Sequence, residues 1–225
     1  MVLPVCTFVH APAFKFRGTR DYVHSTDMYA ELLAGANAAG FSPVAGIVDL
    51  GVRRWIRTQP EFHFGAELEE KNSPPATFRL GTRIGIVFGA IVASDRPVIE
   101  RIAYDESPIW TKARIDGNCA EISGETGMRP IEVLTALCAF HHRQMYPPPV
   151  GKRWLLARLS LVRPLRPQDA KAITISLDRM VGKVMTRSTI RASMERLGEL
   201  DFVLGSASAQ PTTEKVLHQG HPSAK

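Results

Sequence analysis

Apolar residues recur along the chain with two different periods. Residues 5–16 (VCTFVHAPAFKF) are rich in β-branched and aromatic side chains and predict an opening strand broken near Pro12. Met28, Leu32, Leu33, Ala36 and Ala39 then fall at helical spacing. They predict a helix from Ser25 or Thr26 to Gly40, with either hydroxyl as its N-terminal cap and the glycine as a left-handed stop. Alternation returns over 44–58, where Ile47, Asp49, Gly51, Arg53, Trp55 and Arg57 share one side of a predicted long strand, and residues 61–64 extend it or begin a neighbour. The polar stretch 67–76 reads as a loop, and 77–93 and 97–104 as strands.

A comparable order follows. Residues 110–122 predict a strand pair or a strand, and 123–129 a polar loop. Pro130 to Tyr146 predicts a second helix, opened by a proline and closed by Pro147, Pro148 and Pro149. Strands are predicted at 153–163 and 172–187, and 189–203 is expected to begin as strand and end as helix. Residues 205–225 lack an apolar pattern and predict a flexible tail. The order strand, loop, helix, strands thus occurs twice with little residue identity between the copies. This predicts an α+β chain of two tandem units, 1–106 and 107–204, each a single helix packed against a run of antiparallel strands.

Composition adds limits. The 225 residues leave room for one large domain or two of roughly 100 residues. The 44% apolar fraction predicts a substantial core. A net charge of +6 favours acidic partners: nucleic acid, the phosphates of coenzyme A or an acidic carrier protein. Charged residues interrupt every window of membrane-spanning length, so no transmembrane helix is expected. No basic segment precedes the first apolar residues, and the expected location is the cytoplasm. Cys6, Cys119 and Cys138 lack metal-type spacing and read as reduced thiols in or near the core. His141 and His142 point about 100° apart on a helix, so no metal site is expected there. No phosphate-binding loop, dinucleotide fingerprint or nucleophile elbow is present, which disfavours nucleotide-dependent and serine-hydrolase chemistry.

A strand, a loop, one long apolar helix and then several antiparallel strands resembles the hot-dog fold, and two such units over residues 5–203 resemble a double hot-dog. The resemblance implies that the antiparallel sheet of each unit wraps around its central helix. Asp21-Tyr22-Val23-His24-Ser25-Thr26-Asp27-Met28-Tyr29 is similar to the thioesterase loop in which an Asp precedes a Gly-His pair and a Tyr follows on the helix, with Val23 here in place of the Gly. Gly127-Met128-Arg129-Pro130-Ile131-Glu132 resembles the proline-then-helix opening of the dehydratases, with Ala136 where those enzymes carry their acid. The whole-chain order is similar to polyketide-pathway acyltransferase/decarboxylase double hot-dogs. The resemblance implies processing of an acyl thioester on coenzyme A or acyl carrier protein, by hydrolysis, dehydration or acyl transfer. It implies no cofactor beyond the coenzyme A or phosphopantetheine that carries the substrate, and a monomer or homodimer.

Such chemistry needs a base or carboxylate and donors facing a developing oxyanion. The candidates for the first role are Asp21, His24, Asp27 and Glu132. Asp21 and His24 sit three residues apart in a loop before a helix, although Asp21 can equally pair with Arg17 or Arg20. Tyr22 and Tyr29 are candidate oxyanion donors or packing residues, and Arg53, Arg54, Arg57, Arg153, Arg158, Arg163 and Arg166 are candidate phosphate contacts or members of a solvated outer sheet face. The alternative is a non-catalytic protein that binds a small ligand in the cavity, or nucleic acid on the arginine-rich sheet face, the latter being disfavoured.

Overall fold

The computed structural model describes residues 8–41, 46–65, 73–83 and 85–206. Its helices are α1 (Ser25–Ala38), the single turn α2 (Ser107–Trp110) and α3 (Pro130–Met145). α1 buries Met28, Tyr29, Leu32 and Ala36, the stripe expected of a helix with one face on the core. α3 differs: every residue from Ile131 to Cys138 is buried, so protein surrounds this helix on all sides. Its polar residues must then find internal partners. Thr135 donates to the Ile131 carbonyl at 2.9 Å, and His142 lies 2.6 Å from Thr186 Oγ1.

The strands are β1 (Phe8–His10), β2 (Phe16–Arg17), β3 (Val48–Val52), β4 (Thr58–Phe64), β5 (Ala76–Thr82), β6 (Gly85–Pro97), β7 (Arg101–Ile102), β8 (Ala113–Asp116), β9 (Cys119–Ile122), β10 (Lys152–Leu161), β11 (Ile173–Val181), β12 (Met185–Ala192) and β13 (Glu195–Ser206). Eleven form one antiparallel sheet in the order β1-β4-β6-β5-β3-β10-β13-β12-β11-β9-β8, and β2 pairs with β7 in parallel. The centre of the sheet is the β3–β10 pair, in which Leu50 faces Leu159; both are fully buried. One apolar cluster therefore runs under the sheet from Phe62 and Leu80 to Leu134 and Ile175. A largely antiparallel sheet covering few helices agrees with the hot-dog resemblance.

The strand orders on the two sides of that centre are related but not identical. From the outer edge inward, β1, β4, β6, β5, β3 correspond to positions one, three, five, four and two, whereas β9, β11, β12, β13, β10 correspond to one, three, four, five and two. On the second side three successive strands form a meander. On the first side β6 lies between β4 and β5, so the last two positions are exchanged.

Several expected elements are altered. The helix cap is His24, not Ser25 or Thr26, and it makes no side-chain cap bond; the Thr26 hydroxyl bonds the His24 ring instead. Gly40 does end α1 in a left-handed conformation (φ 75°), and the Phe41 amide returns to the Ala36 carbonyl at 2.8 Å. The predicted strand 44–58 is regular only as β3, with residues 42–45 outside the described residues. The amides of Arg53 and Arg54 both bond the Pro75 carbonyl, so residues 53–57 leave the sheet and turn Ile56 into the core. Of 97–104, only Arg101–Ile102 pairs after the end of β6. Residues 172–187 divide at Gly182 and Lys183, both with positive φ, the geometry of a tight hairpin. No helix forms in 189–203, because β13 is held by β10 on one side and β12 on the other, and two-sided pairing outweighs the local helical pattern.

Gly205 and Ser206 complete β13, and the rest of the expected tail lies outside the described residues, as does most of the loop 67–76. Cys138 is buried, Cys119 is exposed contrary to expectation, and Cys6 lies outside the described residues. Among the described residues no helix is long and apolar enough to cross a membrane, and no group of side chains has the makings of a metal site.

The β13–β10 contact leaves no room at Gly198, whose φ is 150° and whose added Cβ would lie 1.9 Å from the Ser160 carbonyl oxygen. Gly198→Ala is expected to destabilise the protein by about 1–3 kcal/mol or more, measured as a lowered urea midpoint.

Candidate active site

The first turns of α1 and α3 meet. Asp27 and Glu132 occupy the third position of their helices, where a carboxylate suits the positive end of the dipole. Arg17 joins them. Its Nε and Nη2 donate to the two Asp27 oxygens at 2.6 Å each, and its Nη1 donates to Glu132 Oε1 at 2.5 Å. Arg129, the cap of α3, donates from Nη2 to Asp27 Oδ1 at 2.7 Å and to Glu132 Oε1 at 2.9 Å, and its backbone amide donates to Glu132 Oε2 at 3.0 Å. Two cations and two carboxylates thus form a neutral cluster, with the Arg17 and Glu132 side chains 8% and 9% exposed. Burial pushes Glu132 up, but hydrogen bonds from Arg129 and the charges of both arginines outweigh it and hold the carboxyl below its ordinary value. The Tyr104 ring covers the guanidinium groups of Arg17 and Arg20 at 4.7 and 5.0 Å.

Beside this cluster lies a cavity of about 150 Å³ whose walls come from both sides of the β3–β10 centre. His24 lines it at the N-terminus of α1. The ring is buried, its Nδ1 lies 2.6 Å from Thr26 Oγ1, and its Nε2 makes no hydrogen bond among the described residues. Burial first, and then the charges of Arg20 and Arg17, depress the imidazole well below its ordinary 6.5, so it is neutral near pH 7. Ser25, first residue of α1, also lines the cavity; the opening amides of a helix have no intrahelical acceptor. Val23, Met28, Ile56, Leu156 and Phe202 make the inner wall apolar. The exposed Arg54 and Arg143 stand at its rim with Arg20 and Arg153, and the Glu106 carboxylate accepts from Arg20 at 3.0 Å. A neutral, oriented imidazole on the wall of a cavity that is apolar inside and open at a charged rim can take a proton from water or from an acidic C–H.

Of the residues singled out from sequence, Tyr22, His24, Arg54 and Arg153 line this cavity. Tyr22 packs on Trp55 with ring centroids 3.8 Å apart, and Arg153 lies over both rings. Asp27 and Glu132 lie beside it, engaged in the charge cluster. Asp21 points away and pairs with Arg57 at 3.2 Å, not with Arg17 or Arg20. The Tyr29 hydroxyl accepts from the Leu165 amide at 2.8 Å, and burial pushes it up to about 12. Arg53 donates to Ser73 Oγ, Arg158 grips both Asp49 oxygens at 2.9–3.0 Å, and both line a separate groove on the solvent side of the sheet. Sequence reasoning missed Glu106, Thr135 and Arg143. Thr135, Ala139 and Arg143, at helical i, i+4 and i+8, are the α3 residues lining the cavity, and Ala136 is not among them.

No protein-family model and no curated protein matches the sequence. Solved structures similar to the chain are hot-dog proteins. The dehydratase domain of RzxB from Pseudomonas fluorescens is 8% identical with a TM-score of 0.43, covering 87% of this chain and 93% of that one. An acyl-ACP thioesterase from Bacteroides thetaiotaomicron is 8% identical with a TM-score of 0.41, covering 88% and 97%. The 12:0-ACP thioesterase from Umbellularia californica is 9% identical with a TM-score of 0.43, covering 92% and 100%. Similarity at this level assigns no residue a role in this chain.

Arg17→Met removes the more buried of the two arginines that Asp27 and Glu132 share and is expected to cost about 3–5 kcal/mol, whereas Arg158→Met, at an exposed pair, costs about 1 kcal/mol or less. Because Glu132 titrates lower in the folded than in the unfolded chain, its contribution is complete above its ordinary value of 4.5 and is lost as pH falls through the folded value. Urea midpoints measured from pH 7 to pH 3 should therefore fall more steeply for the unmodified protein than for Glu132→Gln.

Proposed function

We propose that the chain is a tandem of two hot-dog-like units, 1–106 and 107–204, sharing one active site at their junction, and that this site processes an acyl group carried as a thioester on coenzyme A or acyl carrier protein. The observation that carries this reading is the neutral, buried His24, held through Nδ1 and set on the wall of a cavity with an apolar interior and a cationic rim. The stretch that resembles a thioesterase loop, Asp21 to Tyr29, is the stretch that delivers this histidine.

The acyl group enters the apolar interior, and the carrier's phosphates stay outside near Arg54 and Arg143. The thioester carbonyl faces the opening amides of α1, which stabilise a developing oxyanion. In hydrolysis His24 Nε2 takes a proton from water as the water oxygen bonds to the carbonyl carbon. The C–S bond then breaks, and the leaving sulfur takes that proton from the imidazolium. In dehydration of a β-hydroxyacyl group the same nitrogen takes the proton next to the carbonyl and returns it to the departing hydroxyl, releasing water. Both routes need one base and no cofactor beyond the carrier. Asp27 and Glu132, saturated by arginines, position the helices instead of reacting.

Incubating the protein with acyl-CoA and acyl-carrier thioesters, including β-hydroxyacyl forms, and following products by mass spectrometry should reveal turnover. His24→Ala should lower kcat/KM by about 10²–10⁴-fold. Since the depressed imidazole is already neutral at pH 6.5, kcat/KM should stay level from pH 8 to pH 6.5 and fall only in more acidic solution. Absence of turnover and binding across the panel, or an unchanged His24→Ala rate, would sink the assignment.

A further inference from the structure

We infer that the acyl group this site accepts is compact, about six carbons or one aromatic ring, and that longer chains are excluded by the core itself. The inference rests on the thioester reading for the identity of the carrier, but its own basis is the shape of the cavity. The space is about 150 Å³. An apolar cavity of about that volume holds a benzene molecule.

The cavity cannot lengthen inward. Met28, Ile56, Leu156 and Phe202 close its inner end, and all four belong to the continuous apolar cluster under the sheet. Phe202 is further fixed by the His142 ring, stacked on it at 5.3 Å and 12°, and His142 is itself held by the Cys138 carbonyl and Thr186. A longer chain would have to displace close-packed side chains from an interior that tolerates few changes of volume. It cannot turn outward either, because the rim, with the exposed Arg54 and Arg143, is where the carrier enters and is cationic. The Tyr22 and Trp55 rings, tilted 50° to one another along one wall, offer aromatic contact to a planar as well as a branched short group.

The test is a chain-length series of acetyl, butyryl, hexanoyl, octanoyl, dodecanoyl and benzoyl thioesters of coenzyme A. kcat/KM should peak at butyryl, hexanoyl or benzoyl and drop about 10-fold or more beyond hexanoyl, as expected when an added methylene does not fit. Leu156→Ala, and separately Met28→Ala, should move the optimum toward octanoyl. A second readout is independent of turnover: the butyl, hexyl and dodecyl thioethers of pantetheine, which cannot be hydrolysed, are titrated against the unmodified protein while the Met28 methyl signal is followed by NMR. Saturable shifts from the butyl and hexyl compounds but not the dodecyl compound support the size limit even if no thioester is turned over, an outcome that would overturn the proposed function alone. Dodecanoyl turnover equal to hexanoyl, dodecyl binding equal to hexyl, or no binding by any of the thioethers overturns the inference.

Discussion

The structure depends on how the positive ends of two helices are brought together. The first turns of α1 and α3 converge, and their dipoles and unbonded amides would repel without compensation. Asp27 and Glu132 answer this at equivalent positions, and Arg17 and Arg129 then answer the carboxylates. Arg17 is central because its guanidinium holds Asp27 with one edge and Glu132 with another nitrogen, tying residues more than a hundred positions apart in the chain. Buried ion pairs seldom stabilise more than apolar packing of equal volume. The cluster is therefore best understood as a device for register: it fixes one helix start against the other, and with them the cavity that both help to line.

The arrangement of the two helix starts and their strands is nearly two-fold, and it fails at the cavity. β3 and β10 follow their helices and meet at the centre of the sheet, and Asp27 and Glu132 match. The cap residues do not match: His24 caps α1 and faces the cavity, while Arg129 caps α3 and is bound to the carboxylates of both helices. The position that holds a cavity-lining imidazole on one side holds a structural cation on the other. The exchanged strand order of β5 and β6 is a second departure, so the two sides differ in the sheet as well as at the helix starts.

Much of this was legible in the sequence, for identifiable reasons. Both helices were predicted within about two residues of their ends, because their apolar spacing is strong and proline or glycine marks their boundaries. The loop before α1 stood out through its density of ionisable residues, and Arg20 and His24 proved to be its ionisable members on the cavity. Elements governed by distant partners were not legible. The departure of residues 53–57 from the sheet depends on the Pro75 carbonyl, and the continuous strand through 195–206 depends on pairing with β10 and β12. The roles of Asp27 and Glu132 were hidden for the same reason, since no local pattern shows that Arg17 reaches both. Glu106 and Arg143 gave no signal, because single charged residues near a turn or at a helix end are ordinary; only the fold places them at one rim.

The charge cluster and the histidine are also linked electrostatically, although less strongly than their proximity implies. Arg17 and Arg129 act on His24 as positive charges, but Glu132 acts in the opposite sense, and a neutral group of four charges has a short reach. Burial is thus the larger cause of the depressed imidazole. The same packing that gives the cavity its apolar floor keeps His24 unprotonated, so the apolar character of the space and the neutral state of the ring have one cause. Opening the cavity toward solvent would change both together: water would restore the ordinary basicity of the ring as the apolar floor was lost.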